Sequence, residues 1–150
     1  MIMSMLRLSF AGLAALLTLP ALAQSIPQYV KGPLSGFEYE CKQEKQPFNA
    51  KGFVTAVDLD GDGKPDHIFD ISKGCPASKL LYCSPDGCLI DVFISSTELK
   101  EAGHHVRGFS IGTRQGKAAL VLSMAGQACG GAGKTCKKTL YWNGQGLALE

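Results

Sequence analysis

Cys88-Leu89-Ile90-Asp91-Val92-Phe93-Ile94-Ser95 is nearly continuous in apolar and β-branched side chains, broken only by Asp91 and closed by Ser95. A run of this length and composition predicts a central β-strand covered on both faces. On either side lie shorter runs of the same character. Phe37–Cys41, Phe53–Val57 and His67–Ile71 precede it; Val106–Gly112, Ala118–Met124 and Thr139–Trp142 follow it. The last ends on Asn143-Gly144, a strong hairpin-turn signal. Strand-like runs punctuated by Gly, Pro and Asp every ~10 to 15 residues predict an all-β fold, mainly an antiparallel meander or a small barrel or sandwich. The one helical candidate is Ser96–Ala102, with Ser96 as cap; short and polar, it predicts one surface turn of helix at most. Gln24–Gly36 holds Pro27 and Pro33 without periodicity and reads as an extended lead-in to one β-rich domain over residues 37–150.

Met1–Ala23 reads as a cleavable secretory signal. Arg7 supplies a positive start, Leu8–Leu19 is almost wholly apolar, and Pro20-Ala21-Leu22-Ala23 offers the small residues that signal peptidase accepts. A bilayer span needs ~20 apolar residues, and the run stops well short of that at Pro20. The expectation is a periplasmic or secreted protein with no membrane span after cleavage. Without Arg7 the mature chain has 14 basic residues against 13 acidic. Such a balance lacks the clustered positive charge that nucleic acid requires.

All six cysteines, Cys41, Cys75, Cys83, Cys88, Cys129 and Cys136, fall in the mature chain. An even count in a small exported domain reads as three disulfides, with fifteen connectivities open in principle. Two local pairs suggest themselves: Cys83 with Cys88 across Ser84-Pro85-Asp86-Gly87, and Cys129 with Cys136 across a glycine-rich segment. Elimination then pairs Cys41 with Cys75. Zinc is the weaker reading, since no C-x2-C pair or suitably spaced His accompanies the cysteines.

The stretch that carries chemistry is Asp58-Leu59-Asp60-Gly61-Asp62-Gly63-Lys64-Pro65-Asp66. Ca²⁺ takes six to eight oxygen ligands. Acids at loop positions 1, 3, 5 and 9 supply them from Asp58, Asp60, Asp62 and Asp66, and position 7 gives the backbone carbonyl of Lys64. Gly63 at position 6 permits a sharp left-handed turn. Four carboxylates with one lysine between them repel one another unless a cation joins them. A solvated acidic turn held by Asx hydrogen bonds is the blander account, but the full spacing favours calcium. An EF-hand would place Glu at position 12; here Phe69 stands there, and a strand-like run replaces the second helix.

The D-x-D-G-D-G-x-x-D run over Val57–Ile68 resembles the calcium loop of FG-GAP and VCBS-type repeats, in which such a loop joins two antiparallel strands. The resemblance implies side-chain ligands at Asp58, Asp60, Asp62 and Asp66 and a carbonyl ligand at Lys64. One copy cannot build the propeller of that family, so its adhesion roles do not carry over. More loosely, the order of export signal, single loop, Cys83–Cys88 with Gly87 before its second cysteine, glycine-rich Cys129 segment and closing Tyr141-Trp142-Asn143-Gly144 resembles small exported bacterial proteins of uncharacterised function.

Other constellations carry less. Gly130-Gly131-Ala132-Gly133-Lys134-Thr135 lacks the first glycine of a phosphate loop, Ala128 standing in its place. His67, His104 and His105 lack ligand spacing and read as surface residues. Asp91 reads as facing solvent on an edge, and Trp142 as a core anchor. No Gly-x-Ser-x-Gly elbow is present. The expected function is that of an exported, non-enzymatic calcium-binding domain with a structural Ca²⁺, acting as a binding module for an unidentified protein or envelope component. The alternatives are a periplasmic inhibitor of a hydrolase, presenting Ser84-Pro85-Asp86-Gly87 as a rigid loop, and a calcium-dependent hydrolase.

Overall fold

The computed structural model describes residues 26–150; the expected signal, Met1–Ala23, lies outside the described residues. Nine strands form two antiparallel sheets among these residues. In the first, β1 (Val54–Val57) pairs with β2 (Asp66–Asp70), and β2 pairs with β4 (Gly87–Ile94). The other side of β4 pairs with β5 (Leu99–Val106), and the two-residue β3 (Cys83–Ser84) folds back onto its start. The second sheet is a meander of β6 (Gly108–Arg114), β7 (Lys117–Ala125), β8 (Thr135–Trp142) and β9 (Leu147–Leu149). The apolar run is therefore the central strand, as its composition predicts.

Alternation along the strands decides what each face meets. Ile68 of β2 and Ile90, Val92 and Ile94 of β4 pack against Leu120, Leu122 and Met124 of β7 and Leu140 of β8, making a sandwich core. Complete burial of such a side chain is worth about 1.5–3 kcal/mol. The opposite face of the first sheet carries Phe69 and Phe93, whose ring centroids lie 4.8 Å apart. They join Phe53, Ile71 and Val30 in a second cluster, with Phe37 and Phe48 against it.

Val30 and Phe37 belong to a helix, α1 (Gln28–Gln43), where the sequence reading places an extended lead-in and a strand at Phe37–Cys41. The reason is visible in the spacing. Val30, Leu34, Phe37 and Cys41 repeat at intervals of four, three and four, one stripe of a helix. Pro33, Gly32 and Gly36 hide that stripe, because each weakens a helix interior. Packing of the stripe and the Cys41–Cys75 bond hold it. A second helix, α2 (Pro76–Tyr82), starts with proline at its first position, where no N–H is needed.

Three further expectations are corrected. Ser96–Ala102 is no helix: residues 95–98 form a turn, and β5 begins at Leu99. Val106–Gly112 is not one strand, since the chain leaves β5 at Val106 and enters β6 of the other sheet at Gly108. Asp91 is not on an edge. It sits on the central strand, 6% exposed, with Lys100 Nζ 3.5 Å from Oδ1. Gly103 opposite makes room for it, since a Cβ there would lie 3.0 Å from that oxygen. The three disulfides are Cys41–Cys75, Cys83–Cys88 and Cys129–Cys136, the pairing that spacing and elimination indicate.

Candidate metal centre

The acidic loop joins β1 to β2, so its two ends are held at strand-pair distance by the Val57–Asp66 pairing. Within it, polar and apolar residues separate by position. Leu59 is fully buried and enters the sandwich core, anchoring the loop from below. Its neighbours Asp58 and Asp60 therefore project away from that core. Gly61 and Gly63 take φ of +82° and +83°, the left-handed region in which a Cβ is strained. Their conformation lets the chain coil round its own carboxylates.

Asp58, Asp60 and Asp66 converge, each offering a carboxylate oxygen within 4.8 Å of the others. Hydrogen bonds to all six of their carboxylate oxygens position the cluster. Asp58 accepts hydrogen bonds from Gly61 N (2.7 Å) and Gly63 N (3.0 Å). Asp60 accepts one from Asp62 N at 3.0 Å and one from the Ser96 hydroxyl. Asp66, wholly buried, is the hub: its Oδ2 accepts from Leu59 N (2.7 Å) and Asp60 N (3.3 Å), its Oδ1 from Ser95 N (2.7 Å). Asp62 is exposed and outside this group of three, its carboxylate taking the Lys64 N–H (2.7 Å) and the Ser95 hydroxyl (3.2 Å). The Lys64 side chain is exposed.

Burial pushes the Asp66 carboxyl above the usual range, and the nearby charge of Asp60 adds to it; the Ser95 and Leu59 N–H groups act the other way. A buried carboxylate beside two others is unfavourable as an anion unless positive charge joins it. On the loop's flank Lys117 reaches in from the second sheet, its Nζ donating to the Asp60 carbonyl at 3.3 Å. Three convergent oxygens on a hydrogen-bonded frame can hold a hard cation.

Several neighbours are illegible in the sequence. Ser95 and Ser96 come from the turn after β4, and Lys117 from the start of β7 in the other sheet; only the pairing of strands brings them to the loop. His67, read as a surface residue, is 5% exposed. It alternates onto the aromatic face of β2, with the Tyr29 hydroxyl 3.4 Å from Nδ1. Burial holds its imidazole below the ordinary value, and the Asp66 charge opposes that. Tyr29 and His67 line a cleft of about 350 Å³ beside the loop, with Lys64, Ser95 and Glu98 on its rim.

The chain has no match among protein-family models, curated proteins or solved structures. Three disulfides are bonds typical of oxidising compartments, and no helix among the described residues is long and apolar enough to cross a membrane.

Proposed function

We propose that this chain is an exported, non-enzymatic calcium-binding module, whose ion fixes the loop between β1 and β2 and through it the turn after β4. The convergence of Asp58, Asp60 and Asp66 within 4.8 Å carries the reading. Asp62 and the Lys64 carbonyl would complete the oxygen set, as in the FG-GAP and VCBS-type loops that this run resembles. Calcium fits better than magnesium because a loop that offers this many carboxylate and carbonyl oxygens suits a large ion that accepts six to eight of them, whereas Mg²⁺ demands a tight octahedron and keeps its water. The disulfides support export to a compartment where calcium is plentiful.

The inhibitor reading draws less support. The Ser84-Pro85-Asp86-Gly87 turn lies against the body of the domain: Arg107 donates to the Pro85 carbonyl at 3.3 Å, and the Asp86 carboxylate occupies the space a Cβ on Gly126 would need. Ser84 and Pro85 are exposed, but Asp86 and Gly87 are half-buried, so only part of the turn faces solvent.

The test is a melting curve with calcium and with chelator. Extracellular modules bind Ca²⁺ at ~10⁻⁴–10⁻³ M. At the tight end of that range, about 2 mM calcium adds about 1.8 kcal/mol of stability by mass action. For about 125 ordered residues that is a rise of about 7 °C in midpoint. A midpoint unchanged by calcium, with no heat of binding by calorimetry, refutes the proposal.

A further inference from the structure

We infer that the outer edge of β6 receives an extended, acidic segment of a partner protein, added as a further strand to the second sheet. The inference does not rest on calcium, since no residue of this surface belongs to the acidic loop.

Exposed sheet edges invite pairing, and proteins defend them with shortness, charge, proline or bulges. The other outer strands here are defended. β1, β3 and β9 are four, two and three residues long. β5 carries Lys100, Glu101, His104 and His105, and its register slips opposite Val92 and Phe93. β6 is different. It is seven residues long, pairs only with β7 among the described residues, and runs Gly108-Phe109-Ser110-Ile111-Gly112-Thr113 with no charge or proline before Arg114. Ile111 stands 50% exposed on it.

The space beside this edge has the form a strand needs. On the inner side a groove of about 760 Å³ opens between β6 and Thr55 of β1, with Lys73 and Arg107 on its walls. On the outer side a smaller hollow of about 260 Å³ lies over Ser110, Val121 and Lys137. Successive side chains of an added strand point to opposite faces, so alternate residues would enter the groove and the hollow while the backbone bonds to β6. The Cys83–Cys88 bond and the Arg107–Pro85 hydrogen bond stiffen the far wall.

Charge selects the occupant. Lys73, Arg107 and Lys137 are exposed, and none is in an ion pair among the described residues, where the pairs are Lys100–Asp91 and Arg114–Glu150. Asp70, the acid in the groove, already accepts from the backbone and hydroxyl of Ser72. Adjacent carboxylates on an extended chain point to opposite faces and would meet these cations on both. A second copy of this chain would instead bring the same cations against them.

Fluorescence anisotropy with a labelled peptide of about eight residues, in which pairs of Glu alternate with pairs of Val so that Glu reaches both faces, tests this. Comparison peptides replace Glu by Lys, or carry N-methyl groups at every second amide to block strand pairing. The acidic peptide should bind at least about tenfold more tightly than either, a difference of about 1.4 kcal/mol. The double variant Arg107→Glu, Lys137→Glu should weaken it by a similar factor, as should Ile111→Pro, which removes an N–H on the side of β6 away from β7; if the proline variant fails to fold by circular dichroism, the N-methyl comparison decides alone. No binding at millimolar peptide overturns the inference. So does binding indifferent to N-methylation, which is charge attraction without pairing, and so does concentration-dependent dimerisation lost in the charge-reversed variant, which assigns the edge to a second copy.

Discussion

Asp66→Ala, measured in chelator so that no ion contributes, isolates what the buried carboxylate does for the fold alone. Its two bonds at 2.7 Å tie Leu59, in the same loop, and Ser95, 29 residues away, to one side chain. Hydrogen bonds to a charged group contribute about 1.5–3 kcal/mol each, so the pair supplies about 3–6 kcal/mol. Part of that is offset, because burial and the neighbouring Asp60 already disfavour the anion. A net loss of about 3 kcal/mol remains, and with an unfolding entropy of about 0.26 kcal/mol/K for a domain of this size the midpoint falls by about 11 °C. Asp58→Ala is the control. Its bonds reach only Gly61 and Gly63 within the loop, and its removal should cost about 1 kcal/mol. Thermal melts followed by far-ultraviolet circular dichroism compare the two. Equal costs, or a loss below about 1 kcal/mol for Asp66→Ala, would show that the loop is not held to the β4–β5 turn through this carboxylate.

Calcium binding should release protons below neutrality: the Asp66 carboxyl sits above its ordinary value, so the apo site binds a proton that the ion must displace as pH falls toward about 4. Calorimetric heats measured near pH 5.5 in two buffers of different ionisation enthalpy should differ, and identical heats would contradict it. Lys100→Met should cost about 1–2 kcal/mol at pH 7.5, modest because the lysine is half exposed. Burial raises the Asp91 pKa, so the stability this acid contributes is complete below the ordinary carboxylate value and is lost as pH rises through the raised one. The cost of losing Lys100 should therefore vanish near pH 4, and urea titrations giving the same cost at both pH values would count against the buried pairing. Replacing Cys41 and Cys75 together by alanine opens a cross-link of sequence separation 34, worth about 4 kcal/mol in chain entropy. Amide exchange should then quicken across α1 while β7 and β8 stay protected; uniform quickening would mean that the helix is not separately tethered.

Much of the fold was legible where one rule sufficed. The central strand followed from an uninterrupted apolar run, and the β8–β9 hairpin from Asn143-Gly144, whose turn closes through Asn143 N to the Gly146 carbonyl at 3.0 Å. The loop's glycines announced their left-handed backbone through spacing alone. What failed were places where tertiary contact overrides local preference. α1 holds Pro33 and two glycines, and its stripe from Val30 to Cys41 makes sense only against Phe53 and Phe69. Asp91 looked like an edge residue because an isolated strand does not reveal that Lys100 and Gly103 will lie across from it. His67 looked exposed because its burial depends on Tyr29, from that same unread helix.

The position of the loop explains why an ion there would act on the whole domain. Leu59 is seated in the core shared by both sheets, Asp66 grips the β4–β5 turn, and Lys117 reaches the Asp60 carbonyl from the second sheet. A cation drawing Asp58, Asp60 and Asp66 together would therefore tighten three separate segments, not one hairpin. In its absence their mutual repulsion is opposed mainly by backbone N–H groups. Those donors fix the carboxylates in direction without neutralising them, which leaves a frame already arranged and still lacking positive charge. Such a frame binds with little ordering cost, because the loop conformation exists before the ion arrives. If calcium stabilises the protein without changing amide exchange at Ser95 or Lys117, the ion acts on the loop alone and this coupling between the sheets does not exist.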